Sequence, residues 1–570
     1  MSSIFGSVHK KSHELWSAKG NMTEVFKTDA MTLGRDYNYK FFNERFIYED
    51  EKVVVVFEGF LFDIKNYSTQ KEFVLSEITL CGFHDFIKSC DGSFSICVFD
   101  RIQNKIHLGV DHLASQKIFY HNSEEFGFVF SSDLFDVTRG VKLENKLTLN
   151  IDNIYYFLGF GSMINERTFF NDIYQLESGN YLTYNIGQGS VNKVKYREHK
   201  FDINENLTEE EVVKEYDDII KQAMSRIIAL NDFYDYRPLA GLSGGLDSKS
   251  MAILMHQMTN KIMTTFTFSE SGSLDHKIAE EVSSALKMEH IFISLDNGYC
   301  LVNNFEEAIR RTNGQVSIHS LLHTLNSTKK IAPNNYGLLL TGQIGDVIFG
   351  SHDIGSKKLK EYVCSKSLVG EVPEYIYNKI GFIDSVIASY TKENCEGFVY
   401  DGRQSNGTLY GDIVNRYRFD TITPFFSKKL LEFTLSVPRE LRQQEHIYLK
   451  WLKYSVPQTL DFKWDKCNCR PSNLLKIKVF KYLNRVNVGI RKRLGLKYTG
   501  MNPFDIWFRK NPTIEINLDR QFEDNLYVLN EYPDLNKDVK KYFHNELERY
   551  KRNKFVVVSL LLSLKMHIEG

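Results

Sequence analysis

At 570 residues the chain is too long for one ordinary hydrophobic core, so two or three domains are expected. Hydrophobic residues at 42% and charged residues at 25% are the proportions of a soluble globular protein. A formal net charge of −1 leaves no overall electrostatic footprint for nucleic acid or an acidic membrane, and neither is expected as a partner.

The chain begins MSSIFGSVHKK, with no signal-peptide apolar region, and a cytoplasmic protein is expected. Up to about residue 135 the runs VVVVFEGFLF, GSFSICVFD, KIHLGVD and FGFVFSS read as strands parted by turn residues. A helix is expected near 150–158 and a late strand at GNYLTYNI. From about 208 the texture changes. TEEEVVKEYDDIIKQAMSRIIAL has apolar residues at helical spacing, and Thr208 stands as its N-cap. RPLAGLS, MTTFTFS, HIFISL and YGLLLTG then alternate as strands with the helices DSKSMAILMHQM and LDHKIAEEVSSAL, which is the order of a doubly wound parallel sheet. Beyond about 355 the chain reads as mostly helical. The basic cluster NRVNVGIRKRLGLKY at 484–498 reads as a solvated helix face, with a site for an acidic peptide or glycan as the alternative. FVVVSLLLSL at 555–564 is about half the roughly 20 residues of a membrane span and is expected as a buried helix. The eight cysteines include no CxxC pair, and Cys467 and Cys469 have no matching pair for a zinc site, so reduced thiols are expected.

Chemistry concentrates in LAGLSGGLDSKSM at 239–251, a strand end, a glycine turn and a helix start. Small residues at Ser243, Gly244, Gly245 and Ser248 let backbone N–H groups approach a pyrophosphate, and Asp247 can hold its magnesium. The turn is neither GxxxxGK[ST] nor GxGxxG, so the phosphate-loop NTPase and dinucleotide readings fail. A tight turn with no ligand is the bland alternative.

SGGLDS resembles the pyrophosphate loop of the asparagine synthetase family, whose members split ATP into AMP and pyrophosphate to activate a carboxylate. Further segments follow the family's order: TFTFSESGSLDHKIAEEVSSAL, LLLTGQIGDVIFGS, TITPFFSKKLLEF and HIYLKWLKYSVPQTLDFKWDKC. The resemblance places Leu242 to Ser248, with Leu246 among them, around the pyrophosphate, Phe268 at the adenine, and Thr341 and Gly342 beside the nucleotide. It makes Asp346 the second magnesium or pyrophosphate acid (a helix N-cap is the alternative) and Lys466, rather than Lys463, the catalytic lysine. Asp275 follows the adenine strand, and Ser427 stands where the family carries an acid. Gln343 replaces a glutamate that can accept a proton, leaving His319 as a candidate base or simply a packed histidine.

MSSIFG resembles the start of the family's N-terminal-nucleophile glutaminase domain, but Ser2 replaces the nucleophilic cysteine. The glutamine-binding Arg-Gly-Pro-Asp segment has no counterpart, and EGFLFD puts Glu58 and Phe60 where an amide and an acid belong. The resemblance therefore implies an α/β protein: an N-terminal Ntn-hydrolase-like αββα sandwich, and a C-terminal doubly wound sheet of the PP-loop ATP pyrophosphatase type with a helical tail. The expected domains are 1–200 (degenerate glutaminase), 201–480 (synthetase) and 481–570 (helical extension). The expected activity is AMP-forming amide ligation with ATP and Mg2+, without glutamine hydrolysis. Its substrates would be a small-molecule or peptide carboxylate and an amine donor, as in β-lactam synthetases, lasso peptide cyclases and sugar-acid amidating enzymes. A homodimer is allowed for. The rival readings are an ammonia-dependent asparagine synthetase and a non-catalytic nucleotide-binding protein.

Overall fold

The computed structural model describes all residues except 1–2, 10–14, 16–22, 37–39, 144–145, 351, 353, 472–473, 495–499 and 546–550. Ser2 and the end of the basic cluster thus lie outside the described residues.

The N-terminal strands are β1 (Ser3–Val8), β2 (Thr23–Lys27), β3 (Met31–Asp36), β4 (Phe46–Glu49), β5 (Val53–Leu61), β6 (Gly92–Asp100), β7 (Lys105–Val110), β8 (Phe119–Ser123), β9 (Gly127–Ser131), β10 (Ile173–Gln175), β11 (Asn180–Asn185) and β12 (Ser190–Lys195). They form two antiparallel sheets, ordered β10-β8-β9-β1-β3-β2 and β12-β11-β7-β6-β5-β4. The period of two in each strand builds the layers. Val54 and Val56 of β5 meet Ile4, Leu33 and Phe130 between the sheets. Val55 and Phe57 face the other way, under Phe73 and Phe86 of helix α1 (Gln70–Ser89). Helices α2 (Leu134–Lys142) and α3 (Ile151–Phe160) share a core with Phe5 and Val129 of the opposite sheet, completing an αββα sandwich.

Helix α4 (Glu209–Phe233) opens the second unit, with the reciprocal Thr208–Glu211 capping box. Strands β13 (Arg237–Gly241), β14 (Thr264–Ser269), β15 (Glu289–Ser294), β16 (Tyr336–Leu340) and β17 (Thr421–Ile422) form a parallel sheet in the order β15-β14-β13-β16-β17. Helices α5 (Leu246–Met258) and α6 (Leu274–Ala285) link its first three strands. Because β14 and β16 flank β13 on opposite sides, the loops leaving β13 and β16 part there, which is where open α/β sheets bind ligands.

Later elements are mostly helical, including α7 (Tyr410–Asn415), α8 (His446–Ser455), α9 (Leu474–Arg493) and α10 (Arg552–Glu569). The expected domain boundary at 480 falls within α9. Helix α10 is no peripheral extension. Phe555 to Leu564 are fully buried, and His567 stacks on Phe135 of α2 while its Nε2 lies 3.2 Å from the Asn313 carbonyl. The chain's most apolar run is thus buried between the two units. No described helix is long and apolar enough to cross a membrane.

Candidate active site

The glycine turn spans the gap between β13 and α5. Gly245 occupies the N-cap of α5 and offers no side chain, so the first-turn N–H groups are left for a ligand or water. Ser248 Oγ accepts from the Ser243 N–H at 3.1 Å and lies 2.7 Å from Ser243 Oγ, which accepts from the Gly245 N–H at 3.2 Å. The turn is braced from outside: the Gly244 N–H donates to Asp275 Oδ1 at 3.0 Å, and the Asp465 N–H donates to the Gly244 carbonyl at 3.1 Å. Asp275 therefore shapes the loop, and burial followed by the charge of Asp465 pushes it up to about 6. Gly342 is needed for the same closeness, since a Cβ there would lie 2.4 Å from the Ser248 nitrogen.

Two acids and a lysine meet at the mouth of this turn. Asp247 Oδ2 accepts from the Asp346 N–H at 3.1 Å, and Lys466 Nζ lies 3.7 Å from Asp346 Oδ2. Burial first, and then the charge of Asp346, push Asp247 up to about 7; the Tyr448 hydroxyl, donating to its Oδ1 at 2.7 Å, and Lys466 pull it back. Burial lowers the Lys466 ammonium, but Asp346 and Asp247 outweigh it and the net shift is upward. Asp346 lies inside the turn Gly345–Ile348 rather than at its cap. The cap is Ile344 at φ 58°, a strained conformation for a β-branched residue. Two close carboxylates, one disfavoured as an anion by the other, suit a divalent cation that takes its remaining ligands from phosphate oxygens. Among the described residues no group of three or more His, Cys, Asp or Glu could hold a metal unaided.

Behind the acids lies a cavity of about 310 Å³, lined by Phe268, Thr341, Gln343, Asp412 and Asn415 among others. Thr341 Oγ1, both carboxylate oxygens of Asp412 and Asn415 Oδ1 are buried without a hydrogen-bond partner. Buried polar atoms are normally paired, so this concentration of orphans marks a ligand site. Burial pushes Asp412 up to about 7 against the pull of Arg416. Asp412, Asn415 and Tyr448 were not singled out from the sequence; the only signal was polar Asp412 and Asn415 three apart in the apolar LYGDIVNR.

His319 does not belong to this constellation. It sits on a 3-10 turn, Ile318–Ser320, rather than on an amphipathic helix, outside the residues lining the cavity. Burial, helped by Arg552 and His323, lowers it to about 3, so it is neutral and a weak base. The Lys463 side chain is exposed, and its carbonyl accepts from the buried Lys249 Nζ at 2.7 Å. Ser427, where an acid was expected, donates to Asp91 Oδ2 of the N-terminal unit at 2.7 Å, so the carboxylate comes from the other domain.

The N-terminal unit has its own charge cluster. Glu58 Oε1 lies 2.9 Å from Arg35 Nε, and Glu58 Oε2 lies 4.0 Å from Arg45 Nη1. Arg45 continues to Asp420 Oδ2 at 2.6 Å, and its guanidinium lies 5.1 Å from the centre of the Phe60 ring. Burial pushes Glu58 up to about 7 against both arginines. Its carboxylate therefore belongs to a bridge between the two units.

Two family models match the sequence: a glutamine amidotransferase domain over residues 43–197 and asparagine synthase over residues 234–370, together just over half of the chain. The chain is 23% identical over 344 residues to the Methanocaldococcus jannaschii protein named Putative asparagine synthetase (glutamine-hydrolyzing) 2, covering 55% of this chain and 62% of that protein. It thus spans less than two thirds of that relative's length. Among solved structures, an allosteric regulatory enzyme of purine biosynthesis matches at 9% identity and TM-score 0.24, over 51% of this chain and 65% of that one. NMN synthetase from Francisella tularensis matches at 15% identity and TM-score 0.17, over 37% of this chain and 94% of that one. A glutamine amidotransferase match followed by an asparagine synthase match, lying on an antiparallel sandwich and a parallel sheet in that order, supports the asparagine synthetase family.

Proposed function

We propose that the protein is an AMP-forming carbon–nitrogen ligase that uses ATP to adenylate a substrate carboxylate and passes the acyl group to an amine, without hydrolysing glutamine. The observation that carries this reading is the meeting of Asp247, Asp346 and Lys466 at the uncapped N-terminus of α5. A carboxylate oxygen attacks the α-phosphorus, and the bond to the departing pyrophosphate breaks. The uncapped N–H groups of Leu246 to Ser248 bind that pyrophosphate, and Lys466 stabilises charge developing on the α-phosphate. Asp247 and Asp346 would hold magnesium, which neutralises pyrophosphate charge when bound. The amine then attacks the acyl carbon, AMP leaves with the electron pair of the C–O bond, and the amine's proton goes to a base. Asp412 is the proposed base: it shares a cavity with Gln343, which cannot take that proton, and a carboxyl poised near 7 suits the task.

Glutamine independence is supported by the Arg35–Glu58–Arg45 cluster, whose charges are committed to each other and to Asp420. The test is incubation with ATP, magnesium and pooled carboxylates and amines, with and without glutamine. AMP and pyrophosphate are expected, with no glutamate above background; ADP and phosphate alone, or glutamine-driven turnover, would sink the reading. Asp412→Asn should preserve carboxylate-dependent exchange of pyrophosphate into ATP and lose amide formation.

A further inference from the structure

The net charge of −1 conceals a local extreme. Helix α9, LLKIKVFKYLNRVNVGIRKR, holds seven Lys and Arg and no Asp or Glu. One side rests on the protein. Ile477 is buried, Lys481 pairs with Glu445 at 2.8 Å and lies 4.4 Å from the centre of the Trp464 ring, and Asn484 Nδ2 donates to the carbonyls of Asp465 and Lys466 at 3.3 Å each. The opposite side is apolar. Leu475, Val479, Leu483, Val486, Ile490 and Leu494, four, four, three, four and four residues apart, form one stripe and are each between 42% and 73% exposed. At this spacing Lys476 and Arg491 fall along one flank of the stripe, and Lys478 and Arg485 along the other.

We propose that α9 is an interfacial helix that seats the protein on an anionic lipid surface, its apolar stripe entering the headgroup boundary and its flanking cations meeting lipid phosphates. An outward apolar face bordered by basic residues, on a helix that does not span a bilayer, is the pattern of in-plane membrane binding. Pairing with a second copy through the same stripe would set cation against cation with no acid on either helix, which disfavours a symmetric dimer there. The inward side of the same helix supports the loop carrying Lys466, so the docking surface and the proposed catalytic lysine sit on adjoining, hydrogen-bonded segments.

The experiment is sedimentation of the full chain with phosphatidylcholine vesicles containing a large minority of phosphatidylglycerol, against phosphatidylcholine alone. Binding is expected only to the anionic vesicles, falling as salt rises. Replacing Lys476, Lys478 and Arg485 by Gln should weaken it roughly a hundredfold, from the usual contribution of each cation at such a surface. Val479→Glu combined with Leu483→Glu and Ile490→Glu should abolish it, with an unchanged thermal melt because all three side chains already face outward. Equal binding to neutral vesicles, or none to either, would overturn the proposal. So would a concentration-dependent dimer in light scattering that the glutamate variant dissolves. None of these outcomes depends on ligase activity.

Discussion

Tyr448 shows how one hydroxyl can set a working pH range. It donates to Asp247 Oδ1 at 2.7 Å and stabilises the ionised carboxyl, opposing burial and the neighbouring Asp346. The proposed mechanism needs Asp247 as an anion, so activity is present above its pKa and lost as pH falls through it. Tyr448→Phe removes a stabiliser of the anion and raises that pKa. The acid limb of the kcat/KM profile should therefore move to higher pH by about one unit, the size expected for one hydrogen bond to a charged group. A limb that stays in place, or moves down, would remove Asp247 from the group that controls it. The same residue marks a limit of sequence reading. Ser243 to Ser248 could be read from the motif because a tight glycine turn needs contiguous residues. Tyr448 and Asp412 could not, because the partner of Tyr448 lies 201 positions away and the cavity that Asp412 lines is made only by the fold.

Among the elements, those with a strong local signal were legible. β6 and α4 fall where the β-rich run GSFSICVFD and the Thr208 N-cap place them. Strands β1, β2, β3, β4, β8, β10, β12 and β17 were missed: they are only two to six residues long, which leaves little periodicity to read. Of the two readings open for His319, its burial on a three-residue turn favours the packed histidine. The segment between α8 and α9 carries a sharper claim. Its backbone holds Lys466 beside Asp346 while Lys463 points to solvent. Lys466→Met should cost about 3 kcal/mol of transition-state stabilisation, seen in kcat with ATP binding little changed, whereas Lys463→Met should be mild. If the two variants exchanged behaviour, the assignment would fail; if both kept full activity, so would the lysine clamp.

For the whole molecule, the two units behave as one body because charged and polar groups cross between them. Arg45 reaches Asp420, Lys117 Nζ donates to the Ser405 carbonyl at 2.7 Å, and Arg416 Nη1 donates to the Ser115 carbonyl at 2.7 Å. Arg45 is 3% exposed, so Arg45→Met would take from buried Asp420 its 2.6 Å guanidinium partner and leave Glu58 to Arg35. Such an uncompensated break costs about 3–5 kcal/mol. Urea unfolding should show that loss, and adding Asp420→Asn should recover part of it; an unchanged midpoint in Arg45→Met would mean the bridge is dispensable. These contacts give the N-terminal sandwich a structural role of its own. Helix α10 extends the point to biosynthesis. Because Phe555 to Leu564 fill the core that α2, α3 and the synthetase unit share, that core cannot close until residues 552–569 have left the ribosome. At about 5–20 residues per second, the apolar surfaces of both units wait tens of seconds for the segment that covers them.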